Sequence, residues 1–212
     1  MRLKAIAPIV FAATAAFSSA VLAEEAEPLE IVVLGDSLVA GYQLGSGEDY
    51  PTRLQAALEA KGYQISVINA GVSGDTTSGG LARVDWSVPD GADGVILELG
   101  ANDALRGIVP QKVEDNLAAI IARLQERDIP VMLMGMMAPP NMGEDYAAEF
   151  NPVYDDLASR YSLPLYPFFL NGVTTHPDLQ LSDGMHPNAD GVEVMVENTL
   201  PAVEAFIKTI RG

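Results

Sequence analysis

Five short, almost uninterrupted apolar runs are spaced along the chain, each giving way to glycine, proline or polar residues. The first lies in "EIVVLGDSLVAGYQL" (30–44). The others are "QISVINAG" from Gln64, "GVILELG" from Gly94, "IPVMLMGMM" from Ile129 and "LPLYPFF" from Leu163. Continuous, partly β-branched apolar stretches of this length mark strands covered on both faces, the situation of a parallel sheet flanked by helices. Between the runs the period changes. Leu54, Ala57 and Leu58 share one face of "YPTRLQAALEAKG", with Pro51 near its start and Gly62 at its stop. Val113, Leu117, Ile120 and Leu124 do the same after Pro110. "EDYAAEFNPVYDDLASRYS" reads as a weaker helix interrupted at Pro152, and Val192, Met195, Val203, Phe206 and Ile210 mark a last helical region that Pro201 is expected to kink or divide. This alternation predicts an α/β domain of three layers, with a five-stranded, mainly parallel sheet and right-handed crossovers. The methionines of "VMLMGMM" fit a buried strand, and the lone Trp86 is assigned to packing.

The first residues read differently. Arg2 and Lys4 precede a small-residue apolar run from Ala5 to Phe17, and "SSAVLA" sets Val21 and Ala23 at the cleavage positions of a secretory leader. Residues 1–23 are therefore expected to be a signal peptide and 24–212 a single domain, exported to the periplasm or secreted. The strongly apolar part is shorter than the roughly 20 residues a membrane span needs, so no stable membrane insertion is expected. The chain has no cysteine, which leaves an exported protein without disulfides or thiolate metal ligands. Loss of Arg2 and Lys4 would take the formal charge from −17 to −19, which argues against nucleic acid or an anionic surface as partner.

Open α/β sheets keep their chemistry at the carboxyl ends of the strands. Here those ends carry Ser37, "NAGVSGDTTSGG", "LGANDALRG" and, beyond the fifth run, "LSDGMHPNADG". A serine becomes a nucleophile when a nearby base takes its proton, and histidine suits the task because its ordinary proton affinity lies near neutrality. Two histidines are available. His186 stands three residues after Asp183, so a turn places carboxylate and imidazole on one side and lets the carboxylate orient the ring. His176, in "TTHPDLQ", lacks that fit and is assigned to a surface loop. Acyl transfer also needs donors for a tetrahedral oxyanion. The Ser37 N–H, the Gly74 N–H and the Asn102 side-chain amide are the candidates. Asp36 and Asp103 are expected to hold loops, and Asp75 to cap a helix. Taken singly, Ser37 is as well explained as a helix cap, Gly74 as a turn glycine, Asn102 as a loop residue and His186 as a packed imidazole; their combination points to catalysis.

Other templates fit badly. "GDSLV" lacks the second glycine of G-x-S-x-G, and no H-E-x-x-H, P-loop or G-x-G-x-x-G stands where it would be needed. No metal or cofactor is expected from two histidines without cysteine or a compact carboxylate cluster.

With these four blocks in order, the sequence resembles the GDSL, or SGNH, hydrolases, matched at Ser37, Gly74, Asn102 and His186, with Asp183 as third triad member. "LGDSLVAGYQL", "NAGVSGDTTSGGLAR", "LELGANDALRG" and "DGMHPN" are most similar to the subgroup of bacterial periplasmic thioesterase I/protease I/lysophospholipases and arylesterases. The resemblance implies a flavodoxin-like α/β/α fold with strand order 2-1-3-4-5. It also implies metal-free hydrolysis of small-molecule esters and thioesters, a monomer, and an acyl groove beside Met137, Ala138, Pro139, Pro140 and Asn141. Val39, Ala101 and Ala104 depart from the residues common in this subgroup without touching the triad. A carbohydrate O-acetylesterase of the same superfamily and a non-catalytic periplasmic lipid or glycan binder are the alternative readings.

Overall fold

A computed structural model describes residues 28–211; the segment read as a signal peptide, and the expected start of the mature domain, lie outside the described residues. Five parallel strands form one sheet: β1 (Leu29–Gly35), β2 (Ile65–Gly71), β3 (Gly94–Glu98), β4 (Val131–Met134) and β5 (Leu165–Tyr166), in the order β2-β1-β3-β4-β5. β1 is an interior strand, pairing Ile31 with both Val67 and Gly94. Its Ile31, Val32, Val33 and Leu34 are fully buried, each worth roughly 1.5–3 kcal/mol of burial. That two-sided burial is why the strand shows no polar alternation.

The crossovers follow from a single hand. Moving from β1 to β2 and then from β2 to β3 reverses direction across the sheet, so right-handed connections put the first helix on one face and the next on the other. Accordingly α2 (Tyr50–Ala60) packs with α8 (Ala189–Arg211), while α3 (Thr77–Ser87) packs with α5 (Pro110–Gln125), and α5 with α7 (Val153–Tyr161). This reversal is a topological switch point. It leaves a crevice beyond the carboxyl ends of β1 and β3, where two short helices begin: α1 (Ser37–Ala40) and α4 (Ala101–Leu105).

Five local expectations meet the structure in instructive ways. Pro152 does separate α6 (Glu144–Phe150) from α7. Pro201 does not divide α8, which runs unbroken through it. Pro201 and Glu197, whose carbonyl loses its amide partner, are both exposed, while the buried face from Val196 to Val203 continues. Asp75 is not the cap of α3: the Thr76 side chain accepts the Gly79 N–H, and Asp75 pairs with Arg83 at 2.7 Å. Met132, Met134 and Met136 are core residues, but Trp86 is 75% exposed on α3, so packing does not account for it.

Candidate active site

β1 delivers Ser37 to the switch point. The strand ends at Gly35, Asp36 accepts the Leu38 N–H at 3.0 Å and so caps α1, and Ser37 becomes the first residue of that helical turn. Beyond β5, the segment 180–188 folds back along itself, with an antiparallel bridge between Gln180 and Pro187 and the Leu181 N–H on His186 O at 2.8 Å. This turn presents His186 to the serine: Ser37 Oγ lies 2.8 Å from His186 Nε2.

Asp183 fixes the ring in three ways. Its Oδ1 accepts the backbone N–H of Met185 at 2.9 Å and of His186 at 3.0 Å, and its Oδ2 lies 2.6 Å from His186 Nδ1. Burial alone would raise this carboxyl, but the His186 and Met185 amides and the imidazole outweigh it and bring it down to about 2. An ionised carboxylate only accepts, so the Nδ1 hydrogen points to Asp183 and Nε2 keeps the lone pair that receives the Ser37 hydroxyl proton. The Tyr42 ring, 4.6 Å from the His186 ring between centroids, covers the imidazole. His176 is exposed at the start of a 3-10 turn, with no role in this network.

Three donors stand at the ends of three neighbouring strands. Neither the Ser37 N–H, after β1, nor the Gly74 N–H, after β2, meets an acceptor among the described residues. After β3, Asn102 Nδ2 spends one hydrogen on Asp36 Oδ2 at 2.8 Å, which leaves the other unengaged. Gly74 sits at φ +81° in open space, the nearest atom to a β-carbon being Arg106 Nη2 at 3.8 Å. Its glycine is therefore required by backbone conformation rather than by crowding.

Buried polar residues hold these loops in place. Asp103 accepts the Thr77 N–H at 2.8 Å and the Thr77 hydroxyl at 2.7 Å, tying α4 to the start of α3. Arg83 donates to Gly35 O and Ala70 O, both at 2.8 Å, and so clips together the ends of β1 and β2. Glu98, the last residue of β3, is fully buried beneath Asp36 and accepts its N–H at 3.1 Å through Oε2; its Oε1 has no partner. Burial raises both carboxyls, Asp36 to about 6 against the opposing pull of its donors, and Glu98 well above its ordinary range with help from Asp36. Asp36 engages Leu38 and Asn102 while Glu98 has a single donor, so the proton of the pair belongs on Glu98. Sequence reasoning placed Asp36 and Asp103 as loop holders but missed Arg83 and Glu98. The visible signal for Glu98 was a charge at the carboxyl end of an otherwise apolar strand.

The residues read as an acyl groove follow β4. Met137 is 50% exposed, the Ala138 N–H donates to Asn151 Oδ1 at 2.8 Å, and Pro140–Met142 form a 3-10 turn that includes Asn141 and is preceded by Pro139. The Tyr146 hydroxyl donates to Ile108 O at 2.8 Å, which sets this region beside the end of α4 and the loop that follows it, where Leu105 and Val109 are exposed. Among the described residues no group of three or more histidine, aspartate or glutamate side chains is placed to hold a metal ion, and no helix is long and apolar enough to cross a membrane.

Comparison with known proteins gives the family. Residues 33–194 match the GDSL-like lipase/acylhydrolase family. An arylesterase of Vibrio mimicus is 41% identical over 165 residues, covering 76% of this chain and 81% of its own. The thioesterase 1/protease 1/lysophospholipase L1 of Escherichia coli K12 is 37% identical over 161 residues, 76% of each chain. The crystal structure of AlinE4, an SGNH-hydrolase family esterase, superposes with a TM-score of 0.72 at 48% identity, over 84% of this chain and 96% of that one. The chain belongs to the GDSL-like lipase/acylhydrolase family and is an enzyme of the GDSL hydrolase type.

Proposed function

We propose that the protein hydrolyses carboxylic esters and thioesters through an acyl-enzyme on Ser37. The observation that carries this reading is the relay of Ser37 Oγ, His186 and Asp183 at 2.8 and 2.6 Å, with unengaged donors at Ser37, Gly74 and Asn102. Ser37 Oγ attacks the acyl carbon as His186 Nε2 takes its proton. The carbonyl oxygen becomes an oxyanion bound by the Ser37 and Gly74 N–H groups and the Asn102 amide. His186 then protonates the leaving alcohol or thiol. In the second half a water gives its proton to His186, attacks the acyl-serine and releases the acid, and the proton returns to Ser37. Asp183 stays ionised and stabilises the transient imidazolium.

Aryl esters, acyl thioesters and lysophospholipids are the substrate classes, consistent with the names of the relatives. The acyl chain lies between the Leu105 and Val109 loop and the segment from Met137 to Asn141, whose exposed apolar side chains suit it. The leader-like pattern of residues 1–23 supports a location in the periplasm or outside the cell, where lysophospholipids and external esters are better available than cytosolic acyl thioesters.

The test is hydrolysis of p-nitrophenyl acetate, butyrate, octanoate and palmitate, lysophosphatidylcholine and acetylated xylan by wild type and Ser37→Ala. Ser37-dependent turnover that favours medium or long chains supports the proposal. Activity confined to acetyl groups replaces it with a carbohydrate O-acetylesterase, and absence of Ser37-dependent turnover overturns it.

A further inference from the structure

The Gly74 N–H sits at the tip of an exposed turn, and its direction depends on the type of that turn. The Asp75 N–H closes on Val72 O at 3.1 Å, and Gly74, in the third position, has φ +81°. A positive φ there is the type II pattern. Types I and II differ by turning over the central peptide, here Ser73–Gly74, which is the peptide that carries the Gly74 hydrogen. A change of turn type would redirect that donor and leave the rest of the fold untouched.

The base of the turn is well secured, by the Val72 N–H on Gly35 O at 3.0 Å and by the Asp75–Arg83 pair. At the tip, Arg106 Nη2 donates to Gly74 O at 2.8 Å. Arg106 follows directly on α4, and its own N–H shares the carbonyls of Asn102 and Asp103, both at 3.2 Å. A single residue thus reaches from the helix that carries Asn102 to the turn that carries Gly74. Its charge is not committed elsewhere. Six of the described lysines and arginines pair with carboxylates, and Arg106 is not among them, although acidic residues outnumber basic ones 29 to 12.

We propose that Arg106 is a positioning residue of the oxyanion site: by holding Gly74 O its guanidinium ties the Gly74–Asp75 peptide to the end of α4 and so sets the spacing between the Gly74 N–H and the Asn102 amide. The proposal rests on the hydrolase reading above. A donor that becomes misdirected is lost to the transition state but not to substrate binding, so the effect belongs in kcat. Arg106 is exposed and its removal leaves no buried group unpaired, so the fold should not suffer.

The experiment compares Arg106→Ala, Arg106→Lys, Gly74→Ala and the double variant Gly74→Ala/Arg106→Ala on neutral p-nitrophenyl butyrate and on the anionic mono-p-nitrophenyl ester of succinic acid. Arg106→Ala should lower kcat about 10-fold to 100-fold on both esters, with KM within about twofold and the melting temperature unchanged. Arg106→Lys, which keeps a charged donor, should recover part of the loss. Because Arg106 acts through Gly74, the double variant should be no slower than the slower single variant. Wild-type kcat in Arg106→Ala, losses that multiply in the double variant, or a fall in melting temperature that tracks the loss would each overturn the proposal. So would a rise in KM confined to the anionic ester, which would make Arg106 an anion-binding residue. Wild-type turnover that survives in Ser37→Ala would instead overturn the hydrolase reading itself.

Discussion

The Asp36 carboxylate holds the Asn102 side-chain amide at 2.8 Å through one oxygen and caps the helix of Ser37 through the other. One buried side chain therefore sets both the nucleophile and an oxyanion donor. Asp36→Ala should lower kcat about 10-fold to 1000-fold with a smaller change in KM, and should cost about 1 kcal/mol of stability through the lost cap. Steady-state kinetics beside chemical denaturation separate the two effects.

The two histidines should behave oppositely. His186→Ala removes the base that faces Ser37 and should lower kcat by roughly 10³-fold or more, as should Ser37→Ala, with the double variant little worse than either. His176→Ala alters an exposed loop position and should retain wild-type rates. Equal losses at both histidines would refute the assignment of the base.

The Asp36–Glu98 pair makes stability depend on pH in a definite sense. Burial raises Asp36 from 3.8 to about 6 and Glu98 well above 4.5. A carboxyl that holds its proton more tightly when folded adds stability that is complete below its unfolded value and is lost as pH climbs through its folded value. Stability from this pair should therefore decline as pH rises through 6. Glu98→Gln retains an acceptor for the Asp36 N–H but cannot ionise, so its melting temperature should fall less steeply than that of wild type on the alkaline side. Asp183, lowered from 3.8 to about 2, works in reverse: its contribution is present above 3.8 and is lost as pH drops through 2. Melting curves from pH 3 to 9 would read the Glu98 effect directly.

Gly100 should tolerate no side chain. It stands just before α4 at φ +124°, where a β-carbon would fall onto the hydroxyl of Tyr154, itself bonded to Leu99 O at 2.8 Å. Gly100→Ala should cost about 2 to 4 kcal/mol and displace Asn102, and a denaturation midpoint equal to that of wild type would contradict this account.

Much of this was legible in the sequence because the constraints are local or periodic. Burial on both faces forces apolar runs, so the strands could be found, although only Leu165 and Tyr166 of the fifth run pair with β4 as β5. Asp183 and His186 are three residues apart, so their contact was readable; the separation of 149 positions between Ser37 and His186 had to be bridged by the parallel topology. Arg83 and Arg106 escaped notice because the contacts by which they hold the loops go to backbone carbonyls, of Gly35 and Ala70 for Arg83 and of Gly74 for Arg106, which leave no trace in residue type. The Thr76 cap was misplaced by one residue because Asp75, an equally good cap by chemistry, is drawn to Arg83.

The exposure of Trp86 carries over into spectroscopy. The chain's lone tryptophan already meets solvent in the native state, so its emission should lie far to the red before any denaturant is added and shift little on unfolding. Tryptophan fluorescence would then report an almost silent transition for a cooperatively folded domain. Far-ultraviolet circular dichroism of its helices, or the near-ultraviolet signal of the buried Tyr50 and Tyr154, is the signal that follows the fold.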